Sequence, residues 1–195
     1  LSAPTLAEQW RETFLATVQA DCFAVPLKEA ALEERLGDWT EALTATSVVT
    51  CQALQWEAAA KKHRLTSLPV CRSEYLSLDV MAFGQAASRW RFPLAAIELE
   101  NSKDDDKIAY SLWKVMCART DLRVVFCYRR EPTEGAELVR LLREEVVSAL
   151  ALPDRVQLAG ETVVVVGSRN ESSTFPYGFF KWWRLETNTG MFRLF

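Results

Sequence analysis

The stretch Ile97-Glu98-Leu99-Glu100-Asn101, read together with Asp79 upstream, decides how this chain folds and what chemistry it can carry. The run Pro93-Leu94-Ala95-Ala96-Ile97 before the acids reads as a buried strand. Side chains alternate along a strand, so Glu98 and Glu100 project from the same face. Like charges ~4 Å apart repel by about 4 kcal/mol at an effective dielectric of about 20. A divalent cation, a cationic partner or a shared proton would relieve that repulsion. The first makes the chain a candidate metal-dependent hydrolase. The competing reading lays Glu98 and Glu100 on the solvent face of an edge strand, paired with Arg89, Arg91 or Lys103. Asp79 also stands in a strand-like run, where aspartate is depleted.

The surrounding elements follow from periodicity. Upstream, residues 73–83 alternate, with Leu76, Leu78 and Val80 on one face and Tyr75, Ser77 and Asp79 on the other, which predicts a strand. Gly84 to Arg91 fits the hairpin loop that joins it to a second strand over 93–101. Downstream, Asp104 to Arg119 reads as an amphipathic helix with the stripe Ile108, Leu112 and Val115. Leu122 to Tyr128 is a near-continuous apolar run, expected of a strand covered on both faces. Glu134 to Leu150 predicts a helix, Thr162 to Val166 another buried strand, and Phe179 to Phe195 a hairpin turning near Asn188-Thr189-Gly190.

The N-terminal third reads as helical. Residues 5–20 space Leu6, Trp10, Phe14 (or Thr13) and Val18 (or Thr17) at three- and four-residue steps. Pro26 suits the first turn of a second helix stopped by Gly37. Asp38 is placed to cap a third helix through roughly His63, although Ser47-Val48-Val49-Thr50-Cys51 within it has strand propensity. The expected fold class is α/β in one domain over 1–195. It has a helical N-terminal region over 1–69 and a core over 70–195 built on a mixed central β-sheet flanked by helices.

Composition narrows the function. The 195 residues are 49% hydrophobic and 25% charged with a net charge of −3, as in ordinary globular proteins. The isoelectric point of about 5.4 argues against a strongly electropositive nucleic-acid coat. It leaves room for a local basic rim around acidic ligands. The five cysteines, Cys22, Cys51, Cys71, Cys117 and Cys127, form no C-x-x-C pair, so reduced buried thiols are expected rather than a zinc site. No secretory signal is visible, and Ala42 to Trp56 is too short and polar to span a bilayer, so the chain is read as cytoplasmic with no membrane partner. No glycine-rich phosphate loop is present, which argues against a nucleotide cofactor. His63, the single histidine, supports neither a histidine metal site nor a serine triad. The run Lys61-Lys62-His63-Arg64 reads as a solvated helix end. Lys181-Trp182-Trp183-Arg184, among Phe175, Tyr177, Phe179 and Phe180, reads as core rather than as a base-stacking surface. An exposed remnant of it would make a homodimer contact.

The spacing of Asp79, Glu98 and Glu100, followed by a helix and a buried strand, resembles the PD-(D/E)XK nuclease superfamily, the restriction-endonuclease-like fold, over about residues 70–130. The resemblance implies an acid on one core strand and an acid-x-lysine triplet on the next. Asp79 would match the first acid and Glu98 the acid of the triplet, both as ligands of Mg²⁺ or Mn²⁺ together with the Ile97 or Leu99 carbonyl. Glu100 stands where the family usually has lysine. A neighbouring element would then supply the cation, Lys103 or, better, Lys107 on the following helix, and Glu100 or Lys107 would orient or deprotonate the attacking water. A helix glutamate that often joins such sites would be Glu41 or Glu57. The implied activity is hydrolysis of DNA phosphodiester bonds. The alternative is a nuclease-like fold without catalysis, acting as an interaction module. A purely structural α/β domain with solvated acids is the third reading.

Overall fold

The structure, a computed structural model, describes residues 3–195. Helix α1 (Leu6–Val18) starts in a capping box, in which the Thr5 side chain accepts from Glu8 N–H and the Glu8 carboxylate returns to Thr5 N–H. Helix α2 (Asp21–Leu32) begins earlier than its proline suggests, and Pro26 lies inside it. Only one intrahelical bond is lost there, a little over one turn from the start. Helix α3 (Leu36–Ala53) takes Gly37 into its first turn instead of stopping before it, and Arg35 rather than Asp38 precedes it. It ends ten residues before His63, where Gln55 adopts a positive φ of 61°. The chain then extends into β1 (Glu57–Ala60), so the region read as helical contributes an edge strand. Small alanines at 58–60 carry no strand signal of their own; pairing with β2 (Val80–Phe83) supplies it.

The strand expected over 73–83 is reduced to β2. Leu76 and Ser77 both sit at φ 55°, which turns the backbone and leaves Leu76 77% exposed. The following elements lie where periodicity puts them: β3 (Ala95–Leu99), α4 (Asp105–Met116), β4 (Leu122–Arg129) and α5 (Pro132–Glu145). After a short helix α6 (Leu152–Val156) come β5 (Glu161–Ser168), β6 (Phe180–Glu186) and β7 (Met191–Leu194).

The protein is α/β, with a seven-stranded mixed sheet flanked by helices, its strands in chain order from β1 to β7. Strands β3, β4 and β5 run parallel and every other neighbouring pair is antiparallel. Helices α4 and α5 are the crossovers between the parallel strands and cover one face with Ile108, Leu112, Leu138 and Leu142. Helices α1–α3 cover the other, where Trp10 and Phe14 pack with Phe126 and Trp39 with Tyr128 of β4. Trp182 is buried against Trp10, Phe14 and Phe126, so the aromatic tail is core on that face, while Trp183 lies half-buried on the other. Burial raises the Cys51 and Cys127 thiols to about 12, and all five cysteines are free. Among the described residues no helix is long and apolar enough to cross a membrane.

Candidate functional site

The register of β2 on β3 builds the site. Val80 faces Ile97, so Asp79, the residue before β2, falls beside Glu98. Val80 and Ile97 point to the α1–α3 face, and Asp79 and Glu98 therefore turn toward α4. The two acids clasp each other's strands. Asp79 N–H donates to Glu98 Oε1 at 3.2 Å, and Leu99 N–H donates to Asp79 Oδ2 at 2.8 Å.

A lysine completes the arrangement. Lys114 Nζ lies 2.7 Å from Glu98 Oε2 and donates to the Ser77 carbonyl at 2.8 Å. Glu98 is 3% exposed and the Lys114 side chain 21%. Of the three remedies for clustered acids, the fold supplies the cationic partner. The edge-strand reading fails because β3 has neighbours on both sides and Glu98 is buried. Arg91 is engaged elsewhere, with Glu57.

Burial raises the Glu98 carboxyl to about 7, against the opposing pull of its Lys114 bond and with help from the Asp79 charge. Burial also raises Asp79, opposed by the Leu99 N–H and Lys114 and reinforced by the charges of Glu74 and Glu100. The pair thus shares the cost of a partly desolvated negative site.

The other expected residues fall out differently. Glu100 is half-buried beyond the end of β3 and turns an oxygen to the Ser102 N–H at 2.8 Å, while its charge still reaches Asp79. Lys107 is exposed, and the ammonium that meets Glu98 comes from Lys114, seven residues later. The reason is geometric. The chain overruns the sheet through residues 100–104 before α4 turns back, and the helix needs about two turns, roughly 10 Å, to draw level with Glu98. Ser111, on the same helix, is buried. Neither helix-glutamate candidate joins the site. Glu41 is exposed and pairs with Lys62. Glu57 is on β1 opposite Phe83, at the far end of β2 from Asp79, held by Arg91 and by Ser67.

Sequence reading overlooked a second feature at the same end of the sheet. Where β4 and β5 end, Lys103, Arg129, Arg130 and Arg169 line a 260 Å³ hollow with Glu34 and Glu134. The only local signal was the pair Arg129-Arg130 directly after the buried run. Arg129 ties the hollow to the carboxylate site, donating to the Ser102 carbonyl and pairing with Asp105 at the start of α4. Two larger hollows, of 480 and 470 Å³, open along α3 away from the acids.

No family model, curated protein or solved structure matches this chain. Among the described residues no group of three or more His, Cys, Asp or Glu side chains is arranged to hold a metal ion. Asp79 and Glu98 are a pair, and their donors are hard carboxylate oxygens of the kind Mg²⁺ and Mn²⁺ prefer. Asp79 Oδ1 accepts no hydrogen bond among the described residues, whereas Glu98 must release Lys114 to free its second oxygen.

Proposed function

We propose that the chain is a divalent-metal-dependent phosphodiesterase of restriction-endonuclease-like fold that hydrolyses DNA. The observation that carries this reading is the mutual clasp of Asp79 and Glu98 across β2 and β3, with the Lys114 ammonium set on Glu98. It is supported by the order of parts: an acid before one strand, an acid on the next, a helix, then a buried parallel strand. Lys114 takes the place given to Lys107 from sequence and stands for the lysine that Glu100 displaces from the triplet.

Asp79 and Glu98 are the residues that would hold Mg²⁺ or Mn²⁺. A bound cation there supplies positive charge to a phosphodiester and makes an attacking water more acidic. The chain's own residues do the rest. Glu98, raised to about 7, must give up its proton and its lysine to serve as a ligand. Lys114, on a flexible four-carbon stem and partly open to solvent, then turns its ammonium to a phosphate oxygen. Glu100, just beyond the end of β3, would orient water at the rim with the oxygen that Ser102 N–H leaves free.

A second reading, a nuclease-like fold that binds partners without catalysis, draws on one observation: the Lys114–Glu98 pair is already neutral without a cation. Incubation of supercoiled and single-stranded DNA with Mn²⁺ separates the two. Cutting by the wild type, lost in Asp79→Asn while the fold is retained, supports hydrolysis. No cutting under any divalent cation, with a melting temperature indifferent to Mn²⁺, leaves only the second reading.

A further inference from the structure

Helix α4 presents an unusual outer face beside the carboxylate pair. Its inner stripe, Ile108, Ser111, Leu112 and Val115, is buried. On the outer side Tyr110 and Trp113 are 58% and 54% exposed, and their rings lie 5.9 Å apart at an interplanar angle of 25°, stacked one helical turn apart. Lys114 Nζ is 5.8 Å from the centre of the Tyr110 ring while it holds Glu98. One ammonium group therefore stands between an exposed aromatic surface and the candidate catalytic carboxylate. We propose that Tyr110 and Trp113 form a stacking platform for an unpaired base, so that the site acts on single-stranded DNA. This rests on the phosphodiesterase reading above.

The argument for that occupant is chemical. The two rings stack on each other and still leave more than half of each side chain open to solvent, and a base within a duplex has both of its own faces covered by neighbours. An unpaired base can lie on the platform, and the adjacent phosphate then falls toward Lys114. Two lysines along the same edge can meet phosphates: Lys107 is exposed one turn before Tyr110, and Lys103 lines the hollow beyond Ser102, where Arg129, Arg130 and Arg169 stand with Glu34 and Glu134. Arg129 is paired with Asp105, Arg169 with Glu34 and Arg130 with Glu131, so Lys103 and Lys107 are the cations of this edge that have no carboxylate partner among the described residues. The exposed Phe92 ring is poorly placed for this. Phe92 lies under Arg119, beside Thr120 and Asp121 at the amino-terminal end of β4, the opposite end of the sheet.

The test is fluorescence anisotropy with a labelled 20-nucleotide oligodeoxythymidylate and a labelled blunt duplex of the same length, in EDTA so that no cleavage intervenes. The wild type is expected to bind the single strand at least about tenfold tighter than the duplex. Tyr110→Ala/Trp113→Ala should lose about tenfold or more for the single strand, with an unchanged salt slope because phosphate contacts persist. Tyr110→Phe/Trp113→Phe should restore most of the affinity. Equal affinity for both probes, or an alanine variant that binds as the wild type does, overturns the platform. So does a wild-type dimer in light scattering that the alanine variant abolishes, since a second copy then covers the rings. Tight single-strand binding without any divalent-dependent cutting keeps the platform and removes the hydrolase reading. Cutting by a wild type whose alanine variant binds normally does the reverse.

Discussion

Glu98→Gln offers the sharpest test of the electrostatics at the site. Burial places the Glu98 carboxyl at about 7, against an ordinary value of 4.5. Between those limits the folded protein binds a proton that the unfolded chain has released, so stability falls as pH rises. The carboxyl's contribution is fully present below about 4.5 and is lost above about 7. The gap corresponds to about 3 kcal/mol. In a domain of this size that is a shift of roughly 6–12 °C in Tm. Glutamine keeps the shape and the polarity but cannot ionise. Melting followed by circular dichroism in EDTA, at intervals from pH 4.5 to 8.5, should show the wild type losing ground to Glu98→Gln by about that amount. The loss should be complete by about pH 8. Lys114 keeps the Ser77 carbonyl and partial access to water in the variant, so it adds little cost of its own. A wild-type-minus-variant difference that stays flat across this range would refute the raised carboxyl and the buried-pair account together.

Four other outcomes follow from the structure. Lys114→Met strips the partner from a buried carboxylate and should cost about 3–5 kcal/mol at pH 8 but much less at pH 5, where Glu98 is protonated. Lys107→Met should move stability by less than about 0.5 kcal/mol at either pH, and thermal melts of both variants check this contrast. Stabilisation by Mn²⁺ in a thermal-shift assay should grow between pH 6 and pH 8, because the ion competes with the proton on Glu98; a pH-independent shift contradicts Glu98 as a ligand. Gly160→Ala should unfold the protein or lower its Tm sharply, since φ is +78° and a Cβ would sit 2.3 Å from the Asp121 carbonyl oxygen, whose partner is the Glu161 N–H that starts β5.

The site was half legible along the chain. Asp79 and Glu98 stood out because acids are out of place in apolar strands, and the structure brings those two together. Glu100 follows Glu98 at the strand period, but β3 ends at Leu99, and the Ser102 N–H captures the carboxylate once the chain leaves the sheet. Lys114 was hidden among several surface lysines. Which one reaches Glu98 depends on how far the chain overruns before α4 folds back, a distance that no spacing rule encodes.

Local periodicity was enough for what short-range physics controls. A 3.6-residue stripe made α1 and α4, and near-continuous apolar runs made β4 and β5, because one element's buried face is written within its own dozen residues. Assembly settled the rest. The alanines of 58–60 became a strand because β2 lay open beside them, and Pro26 stayed inside a helix because the packing of Leu27 and Ala30 outweighs one lost bond. The pairing of Glu98 with Lys114, and of Arg169 with Glu34 at the end of the sheet, join residues distant along the chain. Such contacts belong to the folded molecule, since a charge is drawn to whichever partner the closed core leaves within reach.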